Sequence, residues 1–252
     1  MSALASLRWA RMRRRVRASV AGRTVVDSGD AIQVWEPDRV VGSYAVSRGD
    51  IAVPLTHPRT VGPAVQRPPV LTPDDVFSVH TCAGTVWDIA TPDAVLEGAA
   101  FTPDDPDLGD RVVLDWAAFD DWREEEQTVL AHPHDPFKRI DCLVSSRHVE
   151  VRAGDLLLAE SRRPTVVVET YLPVRHYLPR NDVRMDRLVP SATTTACAYK
   201  GEATYWSVIV DGSVVPDVAW SYPDPLADGV PVRDLICFYD ERVDVIVRAM
   251  PG

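Results

Sequence analysis

The sequence predicts an all-β chain built as two tandem copies of a small antiparallel domain, with few short helices. Three observations predict it: a repeated frame, short runs rich in β-branched and aromatic residues, and tight-turn dipeptides between those runs. The repeat comes first. "VRASVAGRTVVDSGDAIQVWEPDRVVGSYAVSRGD" from Val16 shares its frame with "VRAGDLLLAESRRPTVVVETYLPVRHYLPRND" from Val151. Ser28, Glu36 and Tyr44 are spaced eight apart, as are Ser161, Glu169 and Tyr177, and an Arg-x-Asp follows in each copy, Arg48 to Asp50 and Arg180 to Asp182. At the far ends "VVLDWAAFDDW" from Val112 matches "PVRDLICFYDE" from Pro231, which lays Asp115 on Asp234 and Phe119 on Phe238. The copies divide at residues 1–140 and 141–252.

The elements follow in chain order. Arg8 to Arg17, "RWARMRRRVR", reads as a basic arm or short helix, either solvated or in contact with RNA, anionic lipid or an acidic partner. An insert rich in Pro and Thr spans about Pro54 to Pro73, the acidic stretch Thr102 to Asp110 reads as a solvated loop without calcium-loop spacing, and Asp120 to Leu130 is a candidate helix. "HPHDP", with His132 and His134, reads as a linker rather than as a metal site. In the second copy Leu156 to Leu158, Thr165 to Val168, Thr204 to Val210, Val218 to Tyr222, Leu235 to Tyr239 and Val243 to Val247 are apolar or alternating runs, the pattern of strands. Asp211-Gly212 signals a hairpin because both central positions of that turn take positive φ. A turn or two of helix after Asp182, with Met185 and Leu188 on one side, completes the copy.

Composition bounds the function. With 46% hydrophobic and 25% charged residues the 252-residue chain is globular, and its net charge of -10 supplies no general field for a nucleic-acid backbone. No apolar run approaches a membrane span and no secretion signal follows the basic start, so a cytoplasmic location is expected. Cys82, Cys142, Cys197 and Cys237 are scattered without a CxxC pair, which argues against a disulfide framework or a zinc knuckle. No metal or cofactor is therefore expected. The 27 basic residues comprise 25 arginines and two lysines, Lys138 and Lys200. An arginine excess fits the codon usage of a GC-rich genome, and it makes the lysine in "TTACAYKG" conspicuous.

"RHVEVRAGDLLLAESRRPTVVVET", "YLPRNDV", "TTTACAYKGEATYWSV", "VAWSYPDP" and "CFYDERVDV" together resemble the domain of unknown function family 427, in its tandem two-copy form; the linker "HPHDPFKRIDCLVSSRHVEV" does so as well. The likeness covers the second half nearly continuously and the first mainly at its start and end. It implies a curled antiparallel sheet of the β-tent kind, related in architecture to methionine sulfoxide reductase B and the cereblon ligand domain. Relatives that hold zinc use paired CxxC motifs, which are missing here, and Ala198 stands where the family usually has proline. The nucleotidyltransferase-like label attached to the family finds neither paired metal-holding carboxylates nor a Lys-x-Asp-Gly motif in this chain.

The chemistry concentrates in the second copy. Lys200 follows Cys197 by three positions and precedes Tyr205-Trp206, whereas the first copy offers only Cys82-Ala83-Gly84 before Trp87. Lys200 is either a turn lysine on surface carbonyls, an anion-binding point charge, or a reactive amine. Cys197 is either a buried thiol or a nucleophile, with His176 as the histidine that folding could bring near. Arg180 bridges Asp182 or Glu169, or recognises an anion; Asp182 also suits a helix N-cap. Trp220 and Tyr222, two apart on a strand, share a face with core or cleft as their role. The expectation is an aromatic cleft for a small anionic or nucleotide-like ligand, lined by Tyr177, Arg180, Asp182, Tyr199, Lys200, Trp206, Trp220 and Tyr222. The alternatives are a Cys197-dependent redox or transferase enzyme, and a non-catalytic assembly module.

Overall fold

A computed structural model describes residues 2–58, 68–73 and 75–248. Much of the Pro- and Thr-rich insert, 59–67, lies outside the described residues. The chain divides into two compact units, Met1–Pro136 and Phe137–Gly252. Among the described residues every helical segment is a short 3-10 turn, and no helix is long and apolar enough to cross a membrane.

The first unit contains β1 (Arg8–Arg11), β2 (Val16–Val20), β3 (Arg23–Ser28), β4 (Ile32–Trp35), β5 (Ser43–Ser47), β6 (Leu55–Thr56), β7 (Gly84–Ala90), β8 (Val95–Pro103), β9 (Arg111–Leu114), β10 (Asp121–Glu124) and β11 (Gln127–Thr128). They form a large sheet, β1-β4-β5-β9-β8-β7-β6, and a small one, β11-β10-β2-β3. The second unit contains β12 (Ile140–Val144), β13 (His148–Ala153), β14 (Leu156–Ser161), β15 (Thr165–Glu169), β16 (Arg175–Leu178), β17 (Leu188–Cys197), β18 (Gly201–Val210), β19 (Ser213–Ser221), β20 (Ile236–Phe238) and β21 (Asp244–Arg248). Its sheets run β12-β15-β16-β20-β19-β18-β17 and β14-β13-β21; the large sheet repeats the first unit's order eleven strands later, and the small one does so without a counterpart of β11.

Local chemistry explains the strands. Along β18 the side chains alternate between buried and exposed from Gly201 to Tyr205, the period of two that a half-buried strand requires. Asp211 and Gly212 join β18 to β19 with φ of 49° and 77°, as the dipeptide predicts. Two expected helices are strands instead. Arg8–Arg11 pairs with β4, and Asp120 to Leu130 holds the β10–β11 hairpin. In β10, Trp122 and Glu124 point inward while Asp121 and Arg123 are less buried, again a period of two. Four of the six arginines of the basic arm pair locally: Arg11, Arg14, Arg15 and Arg17 with Asp30, Glu124, Asp27 and Glu126.

Each unit has one apolar core between its sheets and a second on the outer face of its large sheet. In the second unit Val149, Val151, Leu158, Leu178, Val208, Ile236 and Phe238 fill the first, and Val167, Tyr177, Tyr205, Trp220, Tyr222 and Cys237 fill the second. The register corrects the sequence alignment. Tyr44 pairs with Gln33 and packs in the inter-sheet core, whereas Tyr177 pairs with Thr165 and Cys237 and packs on the outer face. The place of Tyr177 belongs to Ala45, opposite Ile32 and Val113. The turn before β5 holds one residue more than the turn before β16, so the equal spacing of the two tyrosines sets them one strand position apart and on opposite faces. At the far end Asp115 N–H bonds to Ala99 O and Tyr239 N–H to Val218 O, both at 2.9 Å, so Tyr239, not Asp234, stands in the place of Asp115. Phe238, opposite Ala219, accordingly matches Leu114, opposite Ala100, and not Phe119. The Ser and Arg-x-Asp frame does correspond: Ser28 Oγ donates to Asp50 at 2.6 Å and Ser161 Oγ to Asp182 at 2.7 Å.

Candidate functional site

Lys200 ends the short turn between β17 and β18. Gly201 closes that turn at φ +95°, a conformation that favours glycine. The Lys200 carbonyl accepts Leu226 N–H at 3.1 Å, and a Cβ on Gly229 would stand 2.9 Å from that same oxygen. The segment Ala227–Val232 therefore lies directly on the backbone of the lysine and fixes it. Its side chain runs inward, only 5% exposed, and Nζ donates to Glu169 Oε1 at the end of β15. This is neither a surface amine on turn carbonyls nor a group lost to bulk water.

Lys138, just ahead of β12, reaches the same carboxylate. Its Nζ lies 3.5 Å from Glu169 Oε2 with 13% of the side chain exposed, and it donates to Thr170 O at 3.0 Å. The only two lysines in the chain thus converge on one buried glutamate. Each also stands over an aromatic ring, Lys200 at 5.8 Å from the centre of Tyr222 and Lys138 at 5.7 Å from that of Tyr199. In the sequence Glu169 stands as a repeat landmark and a partner for Arg180, and Lys138 as one of two lysines with no place in the expected site. The scarcity of lysine was the signal that could have found it.

The neighbouring rings form a packed cluster. Trp220 Nε1 donates to the Tyr177 hydroxyl at 3.0 Å, with the two rings edge to face. Thr195 and Tyr205 share a hydroxyl bond at 2.7 Å, and Trp220 leans on Tyr239 at 4.3 Å between centroids. Arg175 covers both Trp220 and Tyr239 and pairs with Glu241 and Asp240. Burial pushes the Tyr177, Tyr222 and Tyr239 hydroxyls well above their ordinary range, so they remain neutral. Tyr177 and Trp220 are core residues that support the site rather than walls of an open cleft.

Three predicted residues lie elsewhere. Arg180 stacks on Trp206 at 5.4 Å, and Trp206 packs against the inter-sheet core, not the aromatic face. The reason is strand alternation: Ala203 and Tyr205 take the aromatic face, so Trp206 takes the other. Arg180 pairs with neither Asp182 nor Glu169. Asp182 is itself inside a 3-10 turn rather than an N-cap, and it accepts from Ser161 Oγ and from Arg163 at 2.8 and 3.1 Å.

The thiols are free. Cys237 is fully buried, which raises its pKa strongly, and burial beside Glu36 pushes Cys82 up to about 12. Cys142 is raised by burial in spite of Lys200 nearby. Cys197 is half-buried against the aromatic cluster. His176 neighbours Tyr177 in β16 and so points to the opposite face, which removes the histidine considered as its base. His134 pairs with Glu124 at 2.7 Å and His132 with Pro133 O at 2.8 Å. Among the described residues no three His, Cys, Asp or Glu side chains group to hold a metal.

The first unit keeps the carboxylate and changes its partners. Glu36, 2% exposed, accepts from Thr81 N–H at 2.8 Å, meets His80 Nδ1 at 3.0 Å and lies 3.7 Å from Arg39 Nε. Residues 141–249 match the family described as a domain of unknown function, DUF427; the match includes Glu169 and Lys200 and leaves Lys138 just outside. No curated protein matches the chain.

Proposed function

We propose that the DUF427 domain binds a small anionic or nucleotide-like ligand through the Lys138–Glu169–Lys200 cluster, in a cytoplasmic protein whose first unit is a diverged second copy. One observation carries the reading: two ammonium groups share a single carboxylate. Glu169 balances one of them and leaves a surplus positive charge where neither lysine side chain is more than 13% exposed. Unbalanced charge in a poorly hydrated place is costly, and a phosphate or carboxylate beside Lys138 would relieve it. Tyr199, beneath Lys138, offers a ring face to a planar group. Arg180 and Trp206 take no part.

The test uses the full chain. Inorganic phosphate, pyrophosphate, mononucleotides and small carboxylates are titrated by calorimetry and by thermal shift, against Lys138→Met, which leaves the Glu169–Lys200 pair intact. Stabilisation by one anion class that disappears in the variant supports the proposal. Absence of any anion response, or a response unchanged in Lys138→Met, refutes it.

A further inference from the structure

The first unit holds a cavity of ≈ 300 Å³ on its own, lined among others by Arg39, Ser43, Phe77, Asp115, Trp116 and His132. Its origin follows from the repeated register. In the second unit Arg175, opposite Val167, stacks on Tyr239. The first unit has Ser43 opposite Val34 in the place of Arg175, and Asp115 in the place of Tyr239, by the shared bond to the strand preceding it. A long guanidinium and a phenol ring are thus replaced by a hydroxymethyl and a carboxylate, and both replacements border the hollow.

The hollow is bordered by one arginine, Arg39, and by two carboxylates, Asp75 and Asp115, of which Asp75 accepts from the N–H and hydroxyl of Thr72 at 2.7 and 3.0 Å. Arg39 is buried at 8% exposure. Its Nη2 donates to the carbonyls of Val76, Phe77 and Val79, while its Nε is buried with no hydrogen-bond partner. Glu36 lies 3.7 Å from that Nε as an ion pair and is also engaged by His80 and Thr81. Asp115 accepts only Ala117 N–H at 3.0 Å, and burial holds its carboxyl above the ordinary range in spite of that bond and of Arg39 and His80 nearby. Among the described residues no ion pair joins Arg39 to Asp115, although both border the same space. Phe77 and Trp116 supply apolar wall.

We propose that this cavity binds a small zwitterion of the free α-amino-acid class, its carboxylate on Arg39, its ammonium on Asp115 and its side chain against Phe77 and Trp116. Arg39 and Asp115 border one space without pairing with each other, and a ligand carrying both opposite charges bridges them. The site lies wholly within the first unit and is independent of the lysine cluster.

The full chain is screened with free amino acids by saturation-transfer NMR and calorimetry, beside their N-acetyl and carboxamide derivatives, which lack one charge each. Binding of the free forms, weakened about tenfold or more by either derivatisation, is expected. Asp115→Asn keeps an oxygen for Ala117 N–H and should weaken binding by a similar factor. Ser43→Arg, which restores the second unit's side chain, should abolish it. No binding by any free amino acid, equal binding of the N-acetyl forms, or binding unchanged in Asp115→Asn overturns the proposal. Lys138→Met should leave this binding untouched, which separates the two sites.

Discussion

Lys200 and Glu169 form a buried ion pair that ties the turn between β17 and β18 to the end of β15. Both side chains are under 10% exposed, at 5% and 7%; removing Glu169 strands two ammonium groups, whereas removing Lys200 leaves Glu169 with Lys138 at 3.5 Å. Glu169→Leu should cost about 3–5 kcal/mol, Lys200→Met less because Lys138 still faces Glu169, and the double variant less than the sum. Chemical denaturation of the four proteins checks this; strict additivity would show that the pair is not coupled.

The Ser–Asp bond recurs in both units, and it should recur in energy. Ser28 and Ser161 are 0% and 2% exposed, and each donates to a carboxylate. Ser28→Ala and Ser161→Ala should each lose about 1.5–3 kcal/mol. Proteolysis or hydrogen exchange resolved by unit reads the two effects, each confined to its own unit.

Tyr177→Phe removes the acceptor of the Trp220 indole N–H while leaving the ring in place. A buried donor without a partner costs about 1–3 kcal/mol. Denaturation followed by tryptophan fluorescence should show that loss, with a changed indole environment; an unchanged midpoint would mean that the bond contributes nothing.

Cys82 should resist alkylation. With its pKa pushed up to about 12 by burial and Glu36, its thiolate fraction at pH 8 is on the order of one in ten thousand. Cys237, buried throughout, should react only on unfolding. Mass spectrometry after brief iodoacetamide treatment decides, and rapid labelling of either thiol in the native protein contradicts the geometry.

Glu124 makes the first unit acid-sensitive. Burial alone would raise its pKa, but bonds from His134 and Tyr44 and the charge of Arg14 bring it below the ordinary carboxylate value. A carboxylate depressed in the folded state contributes stability above its unfolded pKa and loses it as the pH falls through the folded one. Stability should therefore decline from the ordinary glutamate range downward, and Glu124→Gln should flatten that limb. A pH series of denaturation midpoints for both proteins tests the sign.

Much of the architecture was legible because it depends on local pattern. Alternation and β-branched content gave strands, Asp211-Gly212 gave its hairpin, and the Ser and Arg-x-Asp frame marked the repeat. Where local pattern was ambiguous the reading failed: Arg8 to Arg11 and Asp121 to Glu124 look helical by charge and length, and pairing with β4 and β2 decided otherwise. The site was half legible. Lys200 stood out by rarity, whereas strand alternation turns Trp206 to the other face, with Arg180 stacked on it, and Ser161 and Arg163 hold Asp182.

By itself the sequence determined that the chain is all-β, that its frame recurs, and that one lysine in it is unusual, because periodicity, turn dipeptides and composition are properties of short segments. Only the tertiary structure decided that Lys138 and Lys200 meet on Glu169, and that Tyr44 and Tyr177 face opposite sides of their sheets. Side chains in a strand alternate at every residue, so one residue gained in a turn moves a group from one face to the other. Spacing along the chain cannot register that change, and ladder pairing fixes it.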